Sequence, residues 1–160
     1  MWRFFEREYN FKAVQNFPHP HLSFQVGICE DIKIISANLK KISAHIKPFL
    51  IKIEGMNTFD EPDRVIFWEV IPTKILQKVH NKIDTLLQEY CSQTFALCSP
   101  QNWHPHVTLA QEDLTPNKFQ KAKKDLKNYQ PRYKLKIHNI CLVRWHDRDK
   151  IRIYKKYILE

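Results

Sequence analysis

His19-Pro20-His21-Leu22-Ser23-Phe24 and His104-Pro105-His106-Val107-Thr108-Leu109 are two versions of one phrase, set about half the chain apart. Each runs His, Pro, His, an aliphatic residue, a hydroxyl residue and an apolar residue. A residue before proline is pushed out of the helical region towards extended backbone. After each proline, polar and apolar residues alternate with period two, which predicts a strand. Over 21–28, alternation puts His21, Ser23 and Gln25 on one face and Leu22, Phe24 and Val26 on the other. In the second copy, His106 and Thr108 share a face and Val107 and Leu109 take its reverse.

The rest of the chain repeats around these two strands. Residues 2–12 read as a short aromatic helix. After the first motif, Glu30-Asp31 opens a helix to about Lys47, with Ile32, Ile35, Leu39, Ile42 and Ile46 at helical spacing. Pro48 stops it. Residues 49–54 and 64–71 read as paired antiparallel strands, with 55–63 as the turn between them. Pro72-Thr73 starts a second amphipathic helix ending near Tyr90, and 94–98 reads as a short strand. After the second motif, Thr115-Pro116 supplies a helix cap and a first-turn proline. Residues 133–145 and 150–159 are expected as two long strands joined by a turn at 146–149. Each motif strand is thus followed by a helix and two strands. Hairpins mixed with single helices indicate an α+β fold with antiparallel sheets, and the whole of 1–160 reads as one domain.

Composition bounds the function. The chain has 160 residues, 43% hydrophobic and 27% charged, which suffices for one buried core. No apolar run approaches the length of a membrane span, and the first residues lack a secretory layout. Cys29, Cys91, Cys98 and Cys141 form no C-x-x-C pair, so reduced thiols and a cytoplasmic location are expected. The net charge of +9 is all C-terminal: residues 115–160 hold 14 Lys/Arg against 4 Asp/Glu, and the first 114 hold 12 against 13. Such a basic segment suits an anionic partner, nucleic acid above all. The lysines of 118–127 read as a solvated helix face. Arg144, Arg148, Lys150 and Arg152, around the last hairpin, are better placed to meet RNA.

Two His-x-Ser/Thr strands side by side would present two imidazoles and two hydroxyls to one ligand. Imidazole titrates near neutrality, so it can both accept and donate a proton. On opposite sides of a phosphodiester, one histidine can activate the attacking oxygen while the other protonates the leaving oxygen. The hydroxyls can donate to the non-bridging oxygens. That chemistry needs no metal, no cofactor and no covalent intermediate. Nothing in a pseudo-symmetric pair says which histidine is base and which is acid. The four histidines also read as two H-x-H pairs of a metal-dependent hydrolase. Against that, no carboxylate lies within four residues of any of them, and the matched hydroxyls would have no role. Phe24, Trp68, Trp103 and Tyr154 are candidates to stack on a base, with core packing as the competing use; Trp103, in a polar loop beside the second motif, is the best placed.

At these residues the chain resembles the 2H phosphoesterase superfamily, which includes the 2′-5′ RNA ligase and cyclic phosphodiesterase proteins. That family is defined by two H-x-[ST] motifs, matched here by His21-Leu22-Ser23 and His106-Val107-Thr108. The resemblance covers about residues 17–160. It implies a bilobed α+β fold: a pseudo-two-fold arrangement of antiparallel sheets with flanking helices and a central cleft. It also implies His21 and His106 as the acid/base pair, Ser23 and Thr108 as phosphate binders, and an RNA or nucleotide bearing a 2′,3′-cyclic phosphate or a 2′-5′ linkage as substrate. Hydrolysis, reversible as ligation, is the expected reaction, with no membrane and no required protein partner. A non-catalytic RNA-end binder is the alternative. The chain departs from the family pattern twice. The strand that usually precedes the first motif is missing, and Gln111 stands where the ligase branch often carries a basic residue.

Overall fold

The computed structural model describes residues 1–17, 19–61, 63–147 and 150–160, without the side chains of 146, 147 and 150. Arg148 and Asp149, read above as part of the last turn, lie outside the described residues, as do Pro18 and Pro62. The elements are α1 (Trp2–Tyr9), β1 (Gly27–Ile28), α2 (Ile32–Ser43), β2 (Phe49–Phe59), β3 (Val65–Val70), α3 (Lys74–Tyr90), β4 (Gln93–Thr94), β5 (His106–Gln111), α4 (Pro116–Leu126), β6 (Arg132–Ile137), β7 (Asn139–Asp147) and β8 (Lys150–Ile158). Short 3₁₀ turns occupy Ala13–Asn16 and Ala96–Cys98. The fold is α+β, as expected. Its main sheet is antiparallel with order β5-β3-β2-β6, and two two-stranded sheets, β1-β4 and β7-β8, complete it. None of the described helices is long and apolar enough to cross a membrane.

The helices form where period and caps coincide. Asp31 caps α2, its carboxylate accepting from Lys33 N at 2.7 Å. Thr73 caps α3 by accepting from Leu76 N at 3.2 Å. Each cap satisfies an amide the helix leaves free. The α2 stripe (Ile35, Leu39) and the α3 stripe (Leu76, Val79, Ile83, Leu86, Leu87) meet Phe49, Ile51, Ile53, Val70 and Val107 from the sheet in one apolar cluster. A second cluster joins Phe5, Tyr9 and Phe11 to Ile66, Leu109 and Ala110 and to Phe119, Ala122 and Leu126 of α4. Within the sheet, Ile66, Val70 and Val107 share one face with Trp68, which packs against both clusters. The opposite face of β3 and β5 is therefore left for polar work.

Four local expectations are corrected. The 55–63 turn is shorter than expected, because β2 continues to Phe59. Gly55 takes φ +91°, and the register slips between Ile53 and Met56, so the strand bends instead of ending. Residues 133–145 are two strands, not one. The chain leaves the main sheet after Ile137 and joins β8 from Asn139, with the His138 carbonyl accepting from Leu159 N at 2.9 Å. The 94–98 segment is a two-residue strand followed by a 3₁₀ turn. Cys29 and Cys91 form a disulfide, because the antiparallel pairing of β1 with β4 brings them together. Cys98 and Cys141 are free thiols. The bonded pair removes those two cysteines as an argument for a reducing compartment.

The first motif segment is the largest departure. Only Leu22 makes a ladder contact, an isolated antiparallel bridge to Val107, and regular strand resumes only at Gly27. Among the described residues no strand runs beside 23–26, so other groups serve its backbone. Trp103 Nε1 donates to the Ser23 carbonyl at 2.9 Å, and Phe95 N donates to the Val26 carbonyl at 2.9 Å. The Gln25 side chain donates to the buried carboxylate of Asp84 at 2.6 Å. The Trp103 ring is held in turn, stacked on His80 at 4.0 Å and on Phe24 at 5.7 Å.

Both the bend in β2 and the indole bond can be tested through stability. Gly55→Ala should cost about 1–2 kcal/mol, the usual penalty for a Cβ at left-handed backbone; its Cβ would also meet Gln130 Oε1 at 2.9 Å. A urea midpoint equal to wild type would show that the bend does not need glycine. Trp103→Phe keeps an aromatic ring in place but deletes the indole N–H, so a loss of about 0.5–1.5 kcal/mol is expected. Unchanged exchange protection of the 23–26 amides in that variant would mean the indole bond does not hold the segment.

Candidate active site

The Leu22–Val107 bridge sets the geometry of both motifs. In an antiparallel pair, flanking residues face each other across the strands. With Leu22 opposite Val107, His21 lies across from Thr108 and Ser23 across from His106. Leu22 and Val107 turn into the main apolar cluster. The two imidazoles and two hydroxyls therefore occupy the other face, as alternation predicted, and the local two-fold axis passes through the bridge.

The imidazoles are held alike. His21 Nδ1 lies 2.9 Å from the His19 carbonyl, and His106 Nδ1 lies 2.7 Å from the His104 carbonyl. A carbonyl can only accept, so in each case Nδ1 carries the hydrogen. The neutral ring then keeps its lone pair on Nε2, the nitrogen that can take or return a proton. Each His-Pro-His triplet is thus a device that fixes one tautomer. His19 and His104 supply the carbonyls.

The surroundings are not alike. Among the described residues His21 packs against one aromatic ring, Phe17, at 4.5 Å. His106 sits between two, Phe59 at 5.3 Å and Phe67 at 5.0 Å. Burial is the main cause that holds the His106 imidazole below its ordinary pKa of 6.5, because desolvation disfavours the charged ring. The charges of His104 and His21 press the same way, which also marks the two motif histidines as electrostatic neighbours. The His104 carbonyl and Glu69 oppose the shift.

Glu69 went unnoticed in the sequence reading. It pairs with His106 across β3 and β5, and its Oε1 lies 2.6 Å from His104 Nε2. Asn57 Nδ2 donates to its other oxygen at 3.2 Å. The one available signal was a lone carboxylate in an otherwise apolar strand, Val65-Ile66-Phe67-Trp68-Glu69-Val70. No His, Cys, Asp or Glu cluster of three among the described residues has the arrangement of a metal site; His104, one member of the H-x-H reading, turns its Nε2 to Glu69.

The aromatic candidates separate. Trp68 pairs with Val107, so its ring belongs to the core face and not to the imidazole face; it packs beside Tyr133 at 5.3 Å. Phe24 packs against the main cluster with Trp103 and His80. Both pack against apolar neighbours, on the side that alternation turns away from the histidines. Trp103 already uses its N–H on the first motif and one ring face on His80. Tyr154 is exposed on β8 and makes no ring contact with the motif residues among those described.

Comparison with known proteins identifies the family. The 2′-5′ RNA ligase superfamily model matches residues 2–149. A relative from Oceanobacillus iheyensis, named "Putative phosphoesterase OB1230", is 28% identical over 104 residues, which are 62% of this chain and 56% of that protein. The chain thus spans little more than half the length of that relative. The crystal structure of TT0787 of Thermus thermophilus superposes with a TM-score of 0.54 at 16% identity, over 81% of this chain and 70% of the other, which is a likeness of fold. With a match that runs almost end to end and both H-x-[ST] motifs meeting across one bridge, the chain belongs to the 2′-5′ RNA ligase superfamily.

Proposed function

We propose that this protein is a metal-independent phosphodiesterase acting on a 2′,3′-cyclic phosphate or a 2′-5′ linkage at an RNA end or in a nucleotide. The observation that carries the reading is the pair of imidazoles fixed in the same tautomer on one face, each opposite a hydroxyl. His106 is the base: its burial favours the neutral ring, so Nε2 is free to take a proton. His21 is the acid. Water attacks phosphorus while His106 Nε2 accepts its proton. The bond from phosphorus to the ribose oxygen breaks in line, and His21 Nε2–H protonates that oxygen. Ser23 and Thr108 donate to the non-bridging oxygens as charge builds there. With a 5′-hydroxyl in place of water on a 2′,3′-cyclic phosphate, the same transfers give ligation: His106 takes the hydroxyl proton, the phosphorus–O3′ bond breaks, His21 protonates O3′, and a 2′-5′ linkage remains. The basic C-terminal third offers the electrostatics that an RNA end would favour.

The direct test is turnover of a nucleoside 2′,3′-cyclic phosphate with and without a chelator. Turnover that survives chelation is expected. Turnover lost on chelation would favour paired H-x-H ligation, and binding without turnover from pH 5 to 9 would leave an RNA-end binder. His21→Ala and His106→Ala should each lower kcat by about 10²–10⁴-fold, the usual contribution of a positioned acid or base, with ligand affinity nearly intact. A single variant with wild-type kcat would sink the paired mechanism.

The pH profile should be a bell. Its acid limb reports protonation of the base. Because His106 is held below 6.5, that limb should fall below pH 6.5. Phe59→Ala admits water to the ring and should move the limb upward, towards the ordinary value. An acid limb unmoved by that substitution would argue that His106 is not the base.

A further inference from the structure

We propose that Glu69 is a positioning residue for His106 and acts through His104. This rests on the two-histidine reading. Glu69 is the only charged side chain in the run Val65–Val70. A half-buried carboxylate needs partners for both oxygens. It finds them in His104 Nε2 at 2.6 Å and Asn57 Nδ2 at 3.2 Å. A carboxylate only accepts, so His104 Nε2 carries a hydrogen and the ring is tethered. The same residue's backbone carbonyl receives Nδ1–H of His106 at 2.7 Å. Tethering the His104 ring steadies the residue whose carbonyl selects the His106 tautomer.

Phe59 and Phe67 complete the clamp. Phe59 lies 5.3 Å from each imidazole, and Phe67 lies 5.4 Å from His104 and 5.0 Å from His106. The first motif has the carbonyl bond from His19 but, among the described residues, no counterpart of this outer layer. The His19 ring has no hydrogen-bond partner among the described residues, whereas the His104 ring, equally exposed, is bonded to Glu69. The layer is thus specific to one histidine of the pair. Its role is to keep Nε2 of His106 unprotonated and aimed; without it, the Nε2–H tautomer, which cannot accept a proton there, becomes populated.

The test compares Glu69→Ala, Glu69→Gln and His106→Ala in the full chain. It uses kcat and KM on a nucleoside 2′,3′-cyclic phosphate and ¹⁵N shifts of the His106 ring. Glu69→Ala is expected to lower kcat by about 10–100-fold, the range seen when a partner that orients an imidazole is removed. KM should hold, and the ¹⁵N shifts should move from a pure Nδ1–H form to a mixture. Glu69→Gln, whose amide oxygen can still accept from His104, should recover most of kcat. If Glu69→Ala does not fold, His104→Phe keeps the ring between Phe59 and Phe67 and should show the same kcat loss and tautomer mixture. An inactive His106→Ala beside a variant of Glu69 or His104 with wild-type kcat and an unmixed tautomer would overturn the positioning role alone. A fully active His106→Ala would overturn it together with the mechanism beneath it.

Discussion

One backbone contact, the antiparallel bridge from Leu22 to Val107, makes two distant motifs into one surface. Its centre is apolar, and both side chains go into the core. Because side chains alternate along extended backbone, the residues on either side of that pair must face the other way. A slip of one residue would bury His21 and Ser23 and expose Leu22. The site's register is therefore enforced by the cost of exposing Leu22 and burying an imidazole. A single ladder pair is a weak attachment, and the molecule reinforces it with side chains. The Trp103 indole takes the Ser23 carbonyl, and Gln25 reaches the buried Asp84 on α3. Trp103 directly precedes the second motif, so the loop that delivers one histidine also holds the backbone of the other.

The two-fold relation is local. Within each His-Pro-His triplet the Nδ1-to-carbonyl bond is the same. Beyond the triplets the environments diverge, because one motif is an edge strand of a four-stranded sheet and the other is almost free of pairing. The sheet gives His106 neighbours on β2 and β3: Phe59, Phe67 and the Glu69–Asn57 pair. Burial there favours a neutral ring. Two chemically identical groups can thus differ in proton affinity, which a base and an acid working together require.

Much of this was legible before any coordinates. The helical stripes of α2 and α3 and the caps at Asp31 and Thr73 were readable because 3.6-residue spacing and capping chemistry are local properties. The four motif residues were readable because two copies of one pattern reinforce each other. The misreadings share a cause. Gly55 looked like a turn because glycine permits one, but here its positive φ serves a bend inside β2. Residues 133–145 looked like one strand because no proline or glycine interrupts them, and residue type does not record which sheet a strand joins. Cys29 and Cys91 looked unpaired because their closeness depends on β1 meeting β4.

The sequence by itself determined the four α-helices, the α+β class, the polar faces of both motifs and the imidazole and hydroxyl chemistry they offer. These depend on periodicity and residue type, which act over a few neighbours. Only the tertiary structure decided that the motifs meet, that Trp68 packs against both apolar clusters, and that Glu69 and His104 stand behind His106. Those outcomes depend on strand order and register. Both are fixed by how apolar faces from distant parts of the chain pack together, and no local pattern encodes that.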